Sequence, residues 1–469
     1  MTFEEKLERV LCNCIDGCNG MVSSERLSGG ASQETYRIVI KTTSGTMPLA
    51  LRRAPGGLYR VKDPNLHDTR PGLDGEAMLM EVARGAGVPA PKIYHVLTRE
   101  DDIGDGFFME WLDGEALGSR ILRDDQFAGI RPTLAYECGR IIARIHGIDI
   151  EKSGLGDRLS HITPEEFVSQ TWGNYQSLEV PQPMIDYTGR WLMDNIPDQY
   201  NPTLVHNEFR NGNFMVTSEG IVGILDWEIA HIGDPMRDLG WICTNAWRYG
   251  ESLPVGGFGT YEELFRGYEE VSGLSVDPGR VKFWEVFGSF WWSIVCLTMV
   301  ERFRNGPDRS IERAVIGRRT SEGQVDCVNL LMPGPVIPLE IKDKRENLEM
   351  PGVDELLSET SEFLRTIVMN ETSGRTRFLA RVAANATDIV LREKEQVTEY
   401  RNSELSSLRS FYHSDDDLVS LRWRLVRALR EGSQPLEDDA LKVHLRNMAV
   451  YQIAIDNPRY SGLVRGQFA

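Results

Sequence analysis

The chain carries His206-Asn207-Glu208-Phe209-Arg210-Asn211-Gly212-Asn213, and thirteen residues after the last asparagine stands Asp226, in Leu225-Asp226-Trp227. A carboxylate, an amide five positions on and a second carboxylate beyond a short apolar stretch are the groups that transfer of a phosphoryl group to a hydroxyl requires. Glu208 can orient an acceptor hydroxyl and take its proton. Asn213 and Asp226 offer hard oxygen ligands suited to a magnesium ion that bridges phosphate oxygens. Arg210 either neutralises a neighbouring carboxylate or approaches a phosphate. Reading the whole set as ordinary polar loop residues would need several coincidences at once.

A second group of residues could meet the phosphates themselves. Ser28-Gly29-Gly30-Ala31-Ser32 precedes the first expected strand, so Gly29 and Gly30 can turn the chain tightly, and backbone N–H groups near Ser32 can face phosphate oxygens. A plain turn is the other reading of Gly-Gly. Arg52-Arg53 ends a strand, where a permanent cation could meet phosphates, and Glu76 on the following helix could pair with it. Side-chain alternation favours Arg52 over Arg53. A solvated basic strand end is the alternative. No G-x4-G-K-[ST] occurs, so a P-loop is not supported.

These residues need elements to hold them. Phe214-Met215-Val216 and Ile221-Val222-Gly223-Ile224-Leu225 flank the turn Ser218-Glu219-Gly220, a hairpin that would bring Asn213 and Asp226 to one end. Tyr36 to Ile40 and Leu49 to Arg52 alternate as strands around the turn Thr43 to Thr46, after a first helix over roughly residues 3 to 18. A helix from Glu76 to Ala86 and strands at Val96-Leu97 and Phe107 to Glu110 complete a small antiparallel sheet domain. Asp113-Gly114 marks its exit. Long helical stretches such as Thr133 to His146 and Tyr261 to Val271 follow. His206 is expected to pack and fix its loop, His146 to be structural, and Asp234 and Asp238 to cap a helix or brace the loop.

The partition is therefore an N-lobe over residues 1–112, a C-lobe over 113–332, a proline-bearing charged linker over 333–351 and a helical accessory domain over 352–469. At 469 residues and 41% hydrophobic content the chain can bury two or three cores. Its net charge of -18 argues against a nucleic-acid partner, because phosphate backbones call for clustered cations. The amino terminus lacks a basic start followed by an apolar run, so a cytoplasmic location is the expectation. The longest apolar stretch, Val286 to Val300, falls short of a bilayer span and is read as a buried helix. Cys12, Cys14 and Cys18 among the seven cysteines are read as structural thiols rather than a metal site.

On the loop His206 to Asn213 and on Leu225-Asp226-Trp227, the chain resembles the aminoglycoside phosphotransferase and choline kinase family. Leu225 to Pro235 with Asp238-Leu239-Gly240-Trp241 resembles the bacterial branch similar to the kinase-like part of acyl-CoA dehydrogenase fusion proteins. The resemblance covers about residues 20 to 330. It implies an α+β, two-lobed protein-kinase-like fold with a C-terminal all-α domain, ATP and magnesium as cofactors, and transfer of phosphate to a small-molecule hydroxyl. An alcohol or hydroxyacyl acceptor is favoured over an aminoglycoside. It also implies that Met109-Glu110-Trp111-Leu112 meets adenine through its backbone, with Glu110 and Leu112 in the nucleotide site, and that the second lobe, including the aromatic helix Phe283 to Trp292, builds the acceptor pocket. The tail resembles a helical module found behind some members of that branch, which implies no chemistry of its own.

Two letters depart from the family's H-G-D-x4-N pattern: Asn207 replaces the usual glycine and Glu208 the usual aspartate. The base carboxylate therefore sits one methylene further from its backbone. The competing reading is a nucleotide-binding, catalytically weak protein that acts through its helical tail; retention of both Asn213 and Asp226 argues against it.

Overall fold

A computed structural model of the chain describes residues 1–27, 33–59, 70–306, 309–341 and 351–468. The first helix, α1 (Phe3–Cys14), starts at a capping box, with the Thr2 hydroxyl accepting from the Glu5 amide and the Glu5 carboxylate from the Thr2 amide. It ends earlier than its pattern suggests, because Gly17 at φ +73° turns the chain into a strand, β1 (Cys18–Arg26). The expected hairpin follows as β2 (Glu34–Thr42) and β3 (Gly45–Arg53), with Thr42 opposite Gly45. After α2 (Gly72–Gly85) come β4 (Ile93–Val96) and β5 (Gly106–Glu110), giving one antiparallel sheet in the order β1-β2-β3-β5-β4.

Leu7, Val10 and Leu11 of α1 bury against Ile38, Ile40, Leu49 and Leu51 of the hairpin. Each such side chain contributes about 1.5–3 kcal/mol of burial. With alternate residues of β3 committed to that core, Arg52 is left on the opposite face.

Two compact units divide the chain: Met1–Thr163 with Asp198–Trp284, and Pro164–Pro197 with Glu285–Ala469. The helical lobe opens in the first unit with α3 (Gly118–Arg123) and α4 (Arg131–His146), while α5 (Pro164–Gln176) and α6 (Pro183–Asp194) belong to the second. Back in the first unit, β6 (Thr203–Val205) pairs with β9 (His231–Gly233), and β7 (Phe214–Thr217) with β8 (Gly220–Ile224), both antiparallel. α7 (Met236–Cys243) and α8 (Tyr261–Ser272) follow.

α9 (Pro278–Asn305) runs from the first unit into the second and is longer than its apolar stretch alone suggests. Among the described residues it is the one helix long and apolar enough to cross a membrane, yet 61% of its most apolar window is buried. Phe283, Trp284, Phe287 and Phe290 are all inside, the pattern of a core helix.

The second unit continues with α10 (Ile311–Arg318), α11 (Thr320–Leu331) and α12 (Val353–Phe363). A π-helical segment at Leu364–Val368 leads to α13 (Met369–Glu371), then α14 (Gly374–Tyr412), α15 (Leu418–Arg430), α16 (Asp439–Asp456) and α17 (Ser461–Phe468). Buried polar ties join these helices: Arg430 donates to Asp186 at 2.7 Å and Tyr460 to Asp326 at 2.6 Å. Of the expected linker, residues 342–350 lie outside the described residues, and the Pro333 and Pro335 carbonyls accept from Arg446. The architecture is thus α+β: a small antiparallel N-lobe sheet, a helical C-lobe and a C-terminal all-helical module.

Candidate active site

The loop from His206 to Asn213 leaves β6 and enters β7, and its path is set from below by one buried carboxylate. Asp238, at the start of α7, accepts from the backbone amides of His206 at 2.9 Å and Asn207 at 2.7 Å, and its Oδ2 lies 3.1 Å from His146 Nε2. Burial alone would raise this carboxyl; the His146 hydrogen bond and the nearby His206 hold it below the usual carboxylate range. His206 packs on Trp227 with ring centroids 4.4 Å apart, and burial lowers it to about 4, so it stays neutral.

Asn207 has φ +68°, the left-handed region that explains why the related pattern has glycine there. Asparagine tolerates it, and here both ends of its amide are used. Oδ1 accepts from Arg237 Nε at 2.9 Å, and Nδ2 donates to the Ile229 carbonyl at 3.2 Å. Gly212, at φ +110°, has a backbone that L side chains rarely adopt, and a Cβ there would press on Arg210 Nη1 at 2.7 Å and the Tyr249 hydroxyl at 2.8 Å.

Above this base Glu208 and Asn213 meet. Asn213 Nδ2 donates to the Glu208 carbonyl at 3.0 Å and to Glu208 Oε2 at 3.3 Å, and Arg210 Nε donates to the same oxygen at 3.0 Å. The Arg210 guanidinium lies 4.0 Å from the centroid of Trp247, which fixes its plane. Burial raises the Glu208 carboxyl, Arg210 opposes the rise and Asp226 adds to it. Phe214 pairs with Ile224 in the hairpin, and the Leu225 amide donates to the Asn213 carbonyl at 2.9 Å. Asn213 and Asp226 therefore share the open end of the hairpin. Asp226 itself has φ +66°, the same left-handed region as Asn207, which aspartate also tolerates and which non-glycine residues visit mainly at turns and functional sites.

The N-lobe closes the constellation. Arg52 Nε lies 3.0 and 3.1 Å from the two Glu76 carboxylate oxygens, its Nη2 reaches Asp226 Oδ1 at 2.7 Å, and Glu228 stands 3.6 Å away. Arg53 points elsewhere, to Glu34 at 2.6 Å. Glu76 is 1% exposed; burial pushes it up to about 7 despite Arg52, with Asp226 and Glu228 adding to the rise. Burial by itself would lower Arg52, and its three carboxylates raise it instead. A cavity of about 650 Å³ opens beside this cluster, lined in part by Gln33, Tyr59, Arg70, Glu76 and Glu228.

Arg52, Glu76, Glu208, Arg210, Asn213 and Asp226 thus come together in the first unit. Glu110 ends β5 with its side chain accepting from the Lys92 amide at 3.1 Å, and Leu112 packs so closely on Gly223 that a Cβ there would approach it to 2.3 Å. Gly29, Gly30 and Ser32 lie outside the described residues. Trp284 of the aromatic helix donates to Asp234 at 2.9 Å, a core tie. Sequence reasoning misses Glu228 and Arg237. Glu228 follows Asp226 by two positions, which is a usable signal; Arg237 is 0% exposed, and nothing in its spacing announces that.

Two lobes with this loop and hairpin define a kinase-like phosphotransferase fold. The chain belongs to the phosphotransferase enzyme family, whose pattern matches residues 23–274. Residues 370–460 match a domain of unknown function. Acyl-CoA dehydrogenase family member 10 of Mus musculus is 28% identical over 261 residues, 51% of this chain and 23% of that protein. Family member 11 of Gallus gallus is 26% identical over 309 residues, 61% of this chain and 38% of that protein. The matches thus span well under half the length of these relatives. A solved structure from Ralstonia eutropha, assigned to the aminoglycoside phosphotransferases, superposes with a TM-score of 0.55 at 23% identity, covering 68% of this chain and 95% of that one.

Proposed function

We propose that the chain transfers the γ-phosphate of magnesium-bound ATP to a hydroxyl of a small molecule, an alcohol or hydroxyacyl compound rather than an aminoglycoside. The observation that carries this reading is the convergence of Glu208, Asn213 and Asp226, with Arg52 bridging Asp226 to the buried Glu76. The acceptor preference is supported by the likeness to parts of proteins named for acyl-CoA dehydrogenases.

The donor chemistry fits magnesium. Among the described residues no three His, Cys, Asp or Glu side chains cluster as a metal cage, and magnesium commonly takes one or two protein carboxylates and completes its shell with phosphates and water. Asp226 and Asn213 would hold it, and it would supply neutralisation of the charge that develops on the transferred phosphoryl group.

The chain's own residues supply the rest. Arg52 is the cation on Asp226; its guanidinium would reach the phosphate oxygens of the nucleotide while Glu76 keeps hold of Nε. Gly29, Gly30 and Ser32 would cover the phosphates, and the backbone from Glu110 to Leu112 would meet adenine. Glu208, fixed by Arg210 and Asn213 and with its basicity raised by burial, would accept the acceptor's proton.

Magnesium-dependent ADP release, measured with a panel of hydroxylated metabolites, tests the reading. A hydroxyacyl or alcohol acceptor should stimulate release, Asp226→Ala should abolish it, and Glu208→Gln should lower kcat by about 10²–10⁴-fold. ATP binding without stimulation by any acceptor would favour the catalytically weak alternative. Unchanged turnover in Asp226→Ala would sink the metal assignment.

A further inference from the structure

The catalytic loop departs from its related pattern at two letters, and each is held by an arginine. Asn207 Oδ1 accepts from Arg237 Nε at 2.9 Å, and Glu208 Oε2 accepts from Arg210 Nε at 3.0 Å. Both arginines are in turn laid on a tryptophan. The Arg237 guanidinium lies 4.6 Å from the centroid of Trp241, one helical turn along α7, and that of Arg210 lies 4.0 Å from the centroid of Trp247, in the short turn Asn245–Trp247 that follows. Trp241 and Trp247 meet edge to face, with centroids 5.1 Å apart and planes at 68°. The result is a continuous row from Arg237 through Trp241 and Trp247 to Arg210, with one of the two departing residues at each end.

The chemistry of each contact suits such a support. A guanidinium meets an indole through its flat face, which leaves the N–H edge free to donate to an amide or carboxylate oxygen. A carboxylate in place of the ring would take those edge donors instead. The row is sheltered as well: Arg237 and Trp241 are 0% exposed and Trp247 is 7% exposed, which leaves little room for water to compete. Burial lowers Arg237 to about 10, opposed by Asp238 and Glu208, so it keeps its charge at neutral pH. Glutamate needs this support more than aspartate does, because its extra methylene adds a rotatable bond between backbone and carboxylate.

We propose that Trp241 and Trp247 are positioning residues of the catalytic loop, which through Arg237 and Arg210 hold Asn207 and Glu208 in place, so that the longer carboxylate is presented from one fixed direction. This rests on the reading of Glu208 as the residue that orients the acceptor hydroxyl. Neither tryptophan takes part in the transfer; each acts through its arginine. Asp238, which follows Arg237 in the chain, accepts from the backbone amides of His206 and Asn207. The segment from Arg237 to Trp247 thus sets the loop's backbone and its two unusual side chains together.

Two measurements on the full chain test the assignment and separate it from the reading it rests on. With the arginines labelled with nitrogen-15, the Arg210 Nε–H signal is the one lost in Arg210→Lys, and its exchange with water reports the grip on Glu208. Trp247→Leu and Glu208→Gln should each speed that exchange by about tenfold or more, whereas Trp247→Phe, which keeps an aromatic face, should change it little. ADP release from magnesium-ATP with water as the acceptor gives the second readout. Trp247→Leu should lower kcat by about 10- to 100-fold with KM for ATP within about twofold, and Trp247→Phe should recover most of the loss. In the Glu208→Gln background Trp247→Leu should lower kcat no further, a non-additivity that loss of packing alone would not give. Trp247→Met, which fills more of the indole's space, gives the same readings if the leucine variant does not fold. Unchanged Arg210 exchange in the ring-less variant, or an equal loss of turnover in both backgrounds, would overturn the proposal. If Glu208→Gln keeps full turnover while loss of the ring still frees Arg210, the transfer role of Glu208 falls and the positioning assignment stands.

Discussion

Two arginine–carboxylate clusters, one in each compact unit, use the same groups to opposite ends. In the first unit Arg52 faces three carboxylates, Glu76, Asp226 and Glu228, and two of them stand 31% and 23% exposed. In the second unit Arg422 faces Glu404 alone, in a two-pronged pair that is largely buried. One-to-one pairing closes the account of charge and leaves a structural strut. An excess of carboxylate around one guanidinium leaves room for another cation and a reason for it to come.

The contrast breaks first under single substitutions. Arg52→Ala is expected to lower kcat/KM for ATP by about 10²–10³-fold, the usual loss when one donor to a reacting charged group is removed. Arg422→Ala should instead cost about 3–5 kcal/mol of stability, because Glu404 would stay buried without its counter-ion. Steady-state kinetics and urea unfolding on both variants separate the two outcomes. If Arg52→Ala keeps full turnover while losing stability, the acid excess marks a strut and not a site.

A smaller effect sharpens the same point. Replacing both partners, Arg422→Met with Glu404→Leu, should restore most of the stability lost in Arg422→Ala, since a buried pair exchanged for apolar groups of similar volume is often close to neutral. Arg52→Met with Glu76→Leu should restore none of the turnover. Recovery of turnover in that second pair would mean that the two groups serve only each other.

The sequence made the first cluster legible and hid the second, for physical reasons. Loop spacing and hairpin periodicity are local, so Glu208, Asn213 and Asp226 could be placed on one edge, and strand alternation singled out Arg52 from Arg53, which the structure ties to Glu34. The departure at Asn207 was legible, but the way the fold accommodates it was not. Its tolerance depends on φ +68° and on Arg237, thirty positions away in sequence. Glu404 and Arg422 lie on α14 and α15 with helical spacing that any exposed ion pair would share, and nothing local says that Glu404 is inside. The tie of Asp186 to Arg430 joins residues far apart in the chain, which periodicity cannot foresee. Packing decides such pairs, and packing is not a local property.

The weakest test of the comparison is protonic, and its sign differs with the group. His206 and His231 in the first unit and His444 in the second are each lowered by burial from 6.5 to about 4. Their unfolded forms bind protons that the native forms refuse, so this contribution is present above about pH 6.5 and is lost as pH falls towards about 4. Glu76, raised by burial from 4.5 to about 7, runs the other way: its contribution is present below about pH 4.5 and is lost as pH rises through about 7. Unfolding free energies measured between pH 4 and 8 should therefore show an acid limb that His444→Leu flattens and a loss between about pH 4.5 and 7 that Glu76→Gln flattens. The Glu76 effect belongs to the carboxylate-rich cluster, because Asp226 and Glu228 add to its rise, whereas the histidine effect is common to both units. A variant in which Glu76→Gln leaves the pH dependence untouched would show that Arg52 already balances its neighbours, and the distinction between the two clusters would then rest on exposure alone.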